Sequence, residues 1–194
     1  YENIHQGFPH ISNYGYAYAK RMLLVSSLAI RNQYGLDCMT IIPSNMFGAR
    51  DNFILDECHV IPALIRKAYE STDGNLVVGG TGIARREFLY AKDGARVIEW
   101  MMENYDNEEP LIVSPATDIS ILEVAEIIAN RFDLDICFDQ SFPDGQLTRR
   151  SDSSLFDSLG TGIELTNFYD ALHETIDWFI LNVDNLYTCG RMKA

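Results

Sequence analysis

Gly35-Leu36-Asp37-Cys38-Met39-Thr40-Ile41-Ile42-Pro43 is the stretch on which the fold turns. A glycine stops a helical pattern, a short and mostly apolar run follows, and a proline closes it. Such a run suits a strand of a parallel sheet, where helices cover both faces and neither side has to be polar. Upstream, Ala19, Met22, Leu23, Ser26, Ala29 and Ile30 keep helical spacing, with Ser12 or Asn13 available as a cap and Gly35 where helices commonly end. Helix, tight glycine turn and buried strand make half of a crossover unit, which predicts an α/β fold. The strand runs out into Pro43-Ser44-Asn45-Met46-Phe47-Gly48. Open α/β sheets bind ligands beyond the carboxyl ends of their strands, so a site is expected there.

Downstream the pattern repeats. Residues 49 to 58 read as loop, and His59-Val60-Ile61-Pro62 leads into a helix to about Glu70, with Pro62 near the first turn where a missing N–H costs little. Leu76-Val77-Val78 reads as a strand, followed by Gly79-Gly80-Thr81-Gly82. No helix opens directly after these glycines, so they fail the context of a phosphate-binding loop and read as a hairpin turn into extended Arg85–Leu89. A helix over Ala91–Glu103 and a strand at Leu111-Ile112-Val113-Ser114 supply a second crossover half. Ser120 and Glu123 form a capping box before a helix to about Arg131. Ile136-Cys137-Phe138 reads as a strand and Pro143-Asp144-Gly145 as a turn. Thr166 is the expected cap of a final helix that buries Phe168, Ala171, Leu172, Thr175 and Phe179.

Composition narrows the function classes. The 194 residues are 47% hydrophobic, enough for one large domain or two small ones around a substantial core. No run approaches the roughly 18 apolar residues of a membrane span, and Tyr1-Glu2-Asn3-Ile4-His5 is no secretory leader, so a soluble cytoplasmic protein is expected. A formal charge of -13 argues against nucleic acid and anionic membrane as partners. The doublets Arg66-Lys67, Arg85-Arg86 and Arg149-Arg150 can be solvated surface charge or a pocket for a small phosphorylated ligand. Cys38, Cys58, Cys137 and Cys189 are scattered, without metal-site spacing, and are expected as reduced thiols with no metal.

At the head of the first helix, Tyr16 and Lys20 stand four residues apart and therefore one above the other. An ammonium near a phenol favours the phenolate, and a phenol so placed can pass a proton to or from a carbonyl or alcohol. The same spacing also describes a half-buried aromatic beside a lysine that stretches toward water.

Taken together, several motifs in order resemble the extended short-chain dehydrogenase/reductases acting on nucleotide sugars, and specifically the GDP-L-fucose synthase family. They are Gly15-Tyr16-Ala17-Tyr18-Ala19-Lys20-Arg21-Met22, Ile42-Pro43-Ser44-Asn45-Met46-Phe47-Gly48 with Asp51-Asn52-Phe53, His59-Val60-Ile61-Pro62-Ala63-Leu64-Ile65, Gly80-Thr81-Gly82 with Arg86-Glu87-Phe88-Leu89, and Pro143-Asp144-Gly145. The resemblance implies epimerisation of GDP-4-keto-6-deoxy-D-mannose at C3 and C5, then reduction at C4 with NADPH. By it, Tyr16 protonates the C4 oxygen, Lys20 strengthens that acid and holds the nicotinamide ribose, and His59 is the acid/base of epimerisation. A histidine suits this last role because its unperturbed pKa of about 6.5 lies near working pH. Pro43, Ser44, Asn45 and Met46 match the segment lining the nicotinamide end of NADP(H), with Lys20 and His59 beside it. Lys67, Arg86 and Arg149 fall where the family holds the diphosphate, and Asp144 where it holds sugar or base hydroxyls or amines. A homodimer through the helix of Tyr16 is also implied.

Departures from the family pattern shape the expectation. Relatives often read Val-Val-Trp-Gly where this chain has Val77-Val78-Gly79-Gly80, so Gly79 occupies a ligand-contacting position without its aromatic ring. Cys58 does not match the family's catalytic cysteine. The family's opening strand, G-x-x-G-x-x-G turn and helix, and its catalytic serine and cysteine, do not occur in these residues. The expected fold is thus the C-terminal part of a Rossmann-type doubly wound parallel sheet plus a smaller α/β substrate-binding domain. Residues 1–48 and 89–115 are assigned to the later part of the NADP-binding domain, and residues 49–88 and 116–194 to the substrate domain. The alternatives are another nucleotide-sugar epimerase or dehydratase, or a non-catalytic module that binds nucleotide sugars or serves assembly.

Overall fold

The computed structural model describes residues 3–188; Tyr1, Glu2 and Cys189 lie outside the described residues. A single turn of 3-10 helix over Ile11–Asn13 runs into α1, Tyr14–Tyr34, whose last turn closes where the Gly35 N–H donates to the Arg31 carbonyl at 2.9 Å. Then come β1 (Ile41–Pro43), β2 (Asn45–Phe47), α2 (Val60–Glu70), β3 (Asn75–Gly79), β4 (Arg85–Arg86), β5 (Phe88–Tyr90) and α3 (Ala91–Asn104). They are followed by β6 (Leu111–Val113), β7 (Ile119–Ser120), α4 (Ile121–Phe132), β8 (Asp135–Asp139), α5 (Ser154–Ser158) and α6 (Phe168–Thr188).

Strand pairing is mainly parallel. β1 pairs with β6, β2 with β5 and β3 with β8, each in parallel, and β4 pairs with β7 antiparallel. This is the α/β class that the stretch from Gly35 to Pro43 predicts. The strand there is shorter than expected, since Leu36–Thr40 carry no ladder. Its partner β6 begins at Leu111, whose N–H donates to the Thr40 carbonyl at 2.8 Å, and the preceding Pro110 has no N–H to offer.

Two further expectations need correction. Gly79–Gly82 is not a hairpin turn, because β3 pairs with β8 and β4 with β7, and both strands around the glycines find partners far along the chain. Nor does Thr166 cap the last helix. Its N–H and hydroxyl donate to buried Asp93 at 2.7 and 2.9 Å, while the Asn167 side chain accepts from the Tyr169 N–H at 2.9 Å and takes the cap role.

Apolar burial falls into two clusters. One is built from Ile61, Leu64 and Ile65 of α2, Leu76 and Val78 of β3, Val124 and Ile128 of α4, and Leu172, Ile176 and Phe179 of α6, all almost fully buried. The other joins Leu89, Val97, Met101, Leu111, Val113 and Phe156, with Leu155, Leu159, Ile163 and Leu165 packed against it. β5 serves both: Phe88 and Tyr90 belong to the first cluster and Leu89 to the second, as expected of side chains alternating across a strand. The exposed outer face of α1 includes Met22, Leu23, Val25 and Ile30, and Leu24 is its buried residue. Among the described residues no helix is long and apolar enough to cross a membrane.

Candidate functional site

Tyr16 and Lys20 meet as the helical spacing requires, with Lys20 Nζ 5.6 Å from the Tyr16 ring centroid. The phenol is 65% exposed, so it is open to a ligand and not the half-buried aromatic of the simpler reading. The segment leaving β1 is held firmly. Ser44 N–H donates to the Val113 carbonyl at 2.9 Å, and Asn45 donates twice to the Glu87 carbonyl, from its N–H at 3.2 Å and its side-chain amide at 2.9 Å. The Glu87 carboxylate is itself buried and accepts from the Ser151 N–H at 2.9 Å. Pro43 ends the strand, and Met46 is half-exposed above Gly94, where a Cβ would lie 3.3 Å from its sulfur. Within this ordered segment the Ser44 hydroxyl oxygen is buried and has no hydrogen-bond partner.

His59 stands at the N-cap position of α2, exposed, and its side chain makes no capping bond. The imidazole is therefore not committed to the helix start. Asp51 lies near it: burial pushes the Asp51 carboxyl up, the Asn52 backbone N–H opposes this, and His59 opposes it further. Burial also raises the Cys58 thiol, and its S–H points to the Leu55 carbonyl at 3.7 Å, so Cys58 is not set up as a thiolate beside His59.

The cations divide sharply. Arg85 Nε and Arg150 Nε both donate to Asp118, at 2.6 and 2.9 Å, and Arg85 also reaches Glu123 at 3.1 Å. Their neighbours Arg86 and Arg149 make no ion pair among the described residues. A parallel bridge pairs Arg85 with Thr148, which brings Arg86 alongside Arg149. The Arg86 guanidinium, half-buried, is pushed down by burial first and by the Arg149 charge second; its hydrogen bond goes to the Arg85 carbonyl at 2.7 Å. Lys67 donates to the Val77 carbonyl at 3.4 Å and faces Asp139, a carboxylate held low mainly by Ser141.

Asp144 closes the glycine turn. Its carboxylate accepts from the Thr81 N–H at 2.6 Å and the Thr81 hydroxyl at 2.8 Å. The gap at Gly79 is filled by another residue, since the Phe142 ring packs where a Gly79 side chain would stand, 3.3 Å from an ideal Cβ. Phe142 and Asp118 were not read from the sequence. Phe142 carries no spacing signal, although an aromatic one residue before the Pro143 turn was visible; Asp118 looks like any loop carboxylate until its two arginines fold onto it.

The folded chain thus joins Pro43–Met46 to Glu87, Arg86 to Arg149, and Gly79–Thr81 to Phe142–Asp144. Among the described residues no hydrogen bond or ion pair ties Tyr16 or Lys20 to His59 or to the arginine doublets. Nor does any group of His, Cys, Asp and Glu among them suit a metal ion.

Comparison with known proteins shows the family to which the chain belongs. The chain is 40% identical over 187 residues to a GDP-L-fucose synthase of Dictyostelium discoideum, covering 93% of this chain and 58% of the relative. It is 33% identical to a probable GDP-L-fucose synthase of Drosophila melanogaster, over 93% of this chain and 60% of the relative. A crystal structure of a GDP-L-fucose synthetase from Naegleria fowleri bound to NADP superposes with a TM-score of 0.88 at 37% identity, covering 94% of this chain and 60% of that one. The chain therefore spans about three-fifths of the length of these relatives. The model of the NAD dependent epimerase/dehydratase family matches residues 2–114, a span that includes the Tyr16/Lys20 pair, the segment leaving β1, His59 and both parallel crossovers around them. On that match, with its parallel α/β architecture, the chain belongs to the NAD dependent epimerase/dehydratase family.

Proposed function

We propose that this chain carries the proton-transfer and substrate-gripping part of a GDP-L-fucose synthase-like enzyme. The enzyme epimerises GDP-4-keto-6-deoxy-D-mannose at C3 and C5 and reduces its C4 ketone. The observation that carries the reading is the superposition of 94% of the chain on a GDP-L-fucose synthetase bound to NADP. The residues fit a nicotinamide cofactor, because the buried Ser44 hydroxyl lacks a partner in the segment where the cofactor's polar end would be received. Pro43, Ser44, Asn45 and Met46 would line it, with Lys20 at the ribose and His59 nearby. NADPH supplies the hydride that reduces C4 when it is bound.

The chain's own groups account for the protons and the grip. Tyr16, exposed and faced by the Lys20 charge, gives a proton to the C4 oxygen as the ketone becomes an alcohol. His59, uncommitted at the start of α2 and near the Asp51 carboxyl, removes a proton from carbon next to the ketone and returns one. Arg86, Arg149 and Lys67 hold the diphosphate. Asp144 and the Gly79 turn, with the Phe142 ring over it, receive sugar or base groups.

Residues 1–48 and 89–115 serve the cofactor side, and residues 49–88 and 116–194 the substrate side. A homodimer through the apolar outer face of α1, in the cytoplasm, completes the proposal. The charge of -13 favours neither nucleic acid nor an anionic membrane as partner.

Substitution of Tyr16 by Phe tests the division of roles. NADPH oxidation with the keto sugar should fall by at least about a hundredfold, while deuterium exchange at C3 and C5 persists. Loss of exchange together with reduction would show that the roles are not separate, and undiminished reduction would remove Tyr16 as the acid.

A further inference from the structure

Among the described residues one arginine of each of two doublets makes no ion pair, and the arrangement has a cause. β4 is extended, so Arg85 and Arg86 point to opposite sides. Alongside it the chain from Leu147 runs parallel: the Arg85 N–H donates to the Leu147 carbonyl at 2.8 Å, and Arg85 is bridged to Thr148. Paired residues of a parallel ladder share a side, so continuing that register sets Arg86 and Arg149 on one side and Arg85 and Arg150 on the other. On the second side lies Asp118, a carboxylate whose side chain is only 6% exposed. One oxygen accepts from Arg85 at 2.6 Å and the other from Arg150 at 2.9 Å, and the Asp118 carbonyl accepts from Arg85 as well, at 2.9 Å. A few residues on, the Ser151 N–H is held by buried Glu87 at 2.9 Å.

We propose that Asp118 is a positioning residue for the substrate's phosphates. By clamping Arg85 and Arg150 on one side of the ladder, it presents Arg86 and Arg149 together on the other. Two neighbouring guanidinium groups repel, and with no carboxylate of their own they would drift apart unless the backbone beneath them were tied. Asp118 is that tie, and it touches neither the reacting carbons nor the phosphates. The inference rests on the reading that Arg86 and Arg149 grip the diphosphate.

The sign of one measurement separates positioning from simple charge. Removing a negative charge near an anion site should tighten anion binding through the field alone, whereas loss of a positioning tie should weaken it. Calorimetric titration of the purified protein with GDP and with guanosine is the experiment. Asp118→Asn should weaken GDP about tenfold and leave guanosine unchanged, and in turnover should raise KM without lowering kcat. GDP binding that is equal or tighter in Asp118→Asn, while Arg86→Ala weakens it, would overturn the role of Asp118. GDP binding unchanged in Arg86→Ala would instead overturn the phosphate grip itself. Should Asp118→Asn fail to fold, Arg150→Gln severs one of the two ties at a side chain 73% exposed. Titrated in about 1 M salt, where the Debye length is about 3 Å and the lost charge acts little at a distance, it should still weaken GDP several-fold at an unchanged melting temperature, and a weakening that vanished in that salt would refute the role.

Discussion

Gly82 illustrates how closely single residues are constrained around this site. Its φ is 76°, and a Cβ there would fall 2.9 Å from Cε1 of Phe138 and 3.2 Å from Cβ of Leu122. The ring edge can yield but the start of the Leu122 side chain cannot, and the left-handed backbone adds its own strain. Gly82→Ala should therefore cost about 1–3 kcal/mol in urea unfolding; a loss below about 0.5 kcal/mol would show that the turn relaxes freely. Asp118 offers a pH test. Its carboxyl is held below the ordinary range by Arg85 first and Arg150 second. A depressed carboxylate stabilises the fold fully above its unfolded value of about 3.9 and loses that contribution as pH falls toward the depressed value. The melting-temperature difference between the wild type and Asp118→Asn should accordingly be constant from about pH 5 to 8 and shrink below about pH 4. A difference that persisted at low pH would mean that charge is not what Asp118 contributes. In the sequence the arginine doublets were plain, but which member stayed unpaired was not, because the deciding carboxylate lies 33 residues from Arg85.

Among the elements, α4 has the clearest start. Ser120 Oγ accepts the Glu123 N–H at 3.1 Å, and Glu123 reaches back to the Ser120 N–H at 2.8 Å. Ser120→Ala should destabilise by about 1 kcal/mol in chemical unfolding, the usual value of a cap, and a neutral result would mean that α4 is held by packing alone. This box was legible because both partners sit within one turn. The cap of α6 is not legible locally, for the opposite reason: Thr166 has a suitable side chain, but buried Asp93, 73 residues away, takes both of its donors. The glycines after β3 suggested a hairpin on the same local grounds, and strands β8 and β7 overruled them.

For the whole molecule, the exposed apolar side chains of α1 matter most. Met22 is 62% and Leu23 59% exposed, an unusual density of apolar surface on one helix, and the proposed homodimer would bury it. Sedimentation of the purified protein should show a dimer that Leu23→Asp converts to a monomer; a monomeric wild type would remove this interface from the proposal. The α/β class, most of the helices and their order, the stacking of Tyr16 on Lys20 and the segment leaving β1 follow from the order of residues alone. Each of these depends on spacing within a turn or on alternation along a few residues. Folding settled the rest: Phe142 fills the space beside Gly79, His59 is left without a capping bond, and Asp118 takes one arginine from each of two doublets. These depend on contacts between distant segments, and a side chain's charge or shape does not reveal which distant partner the folded backbone will bring to it.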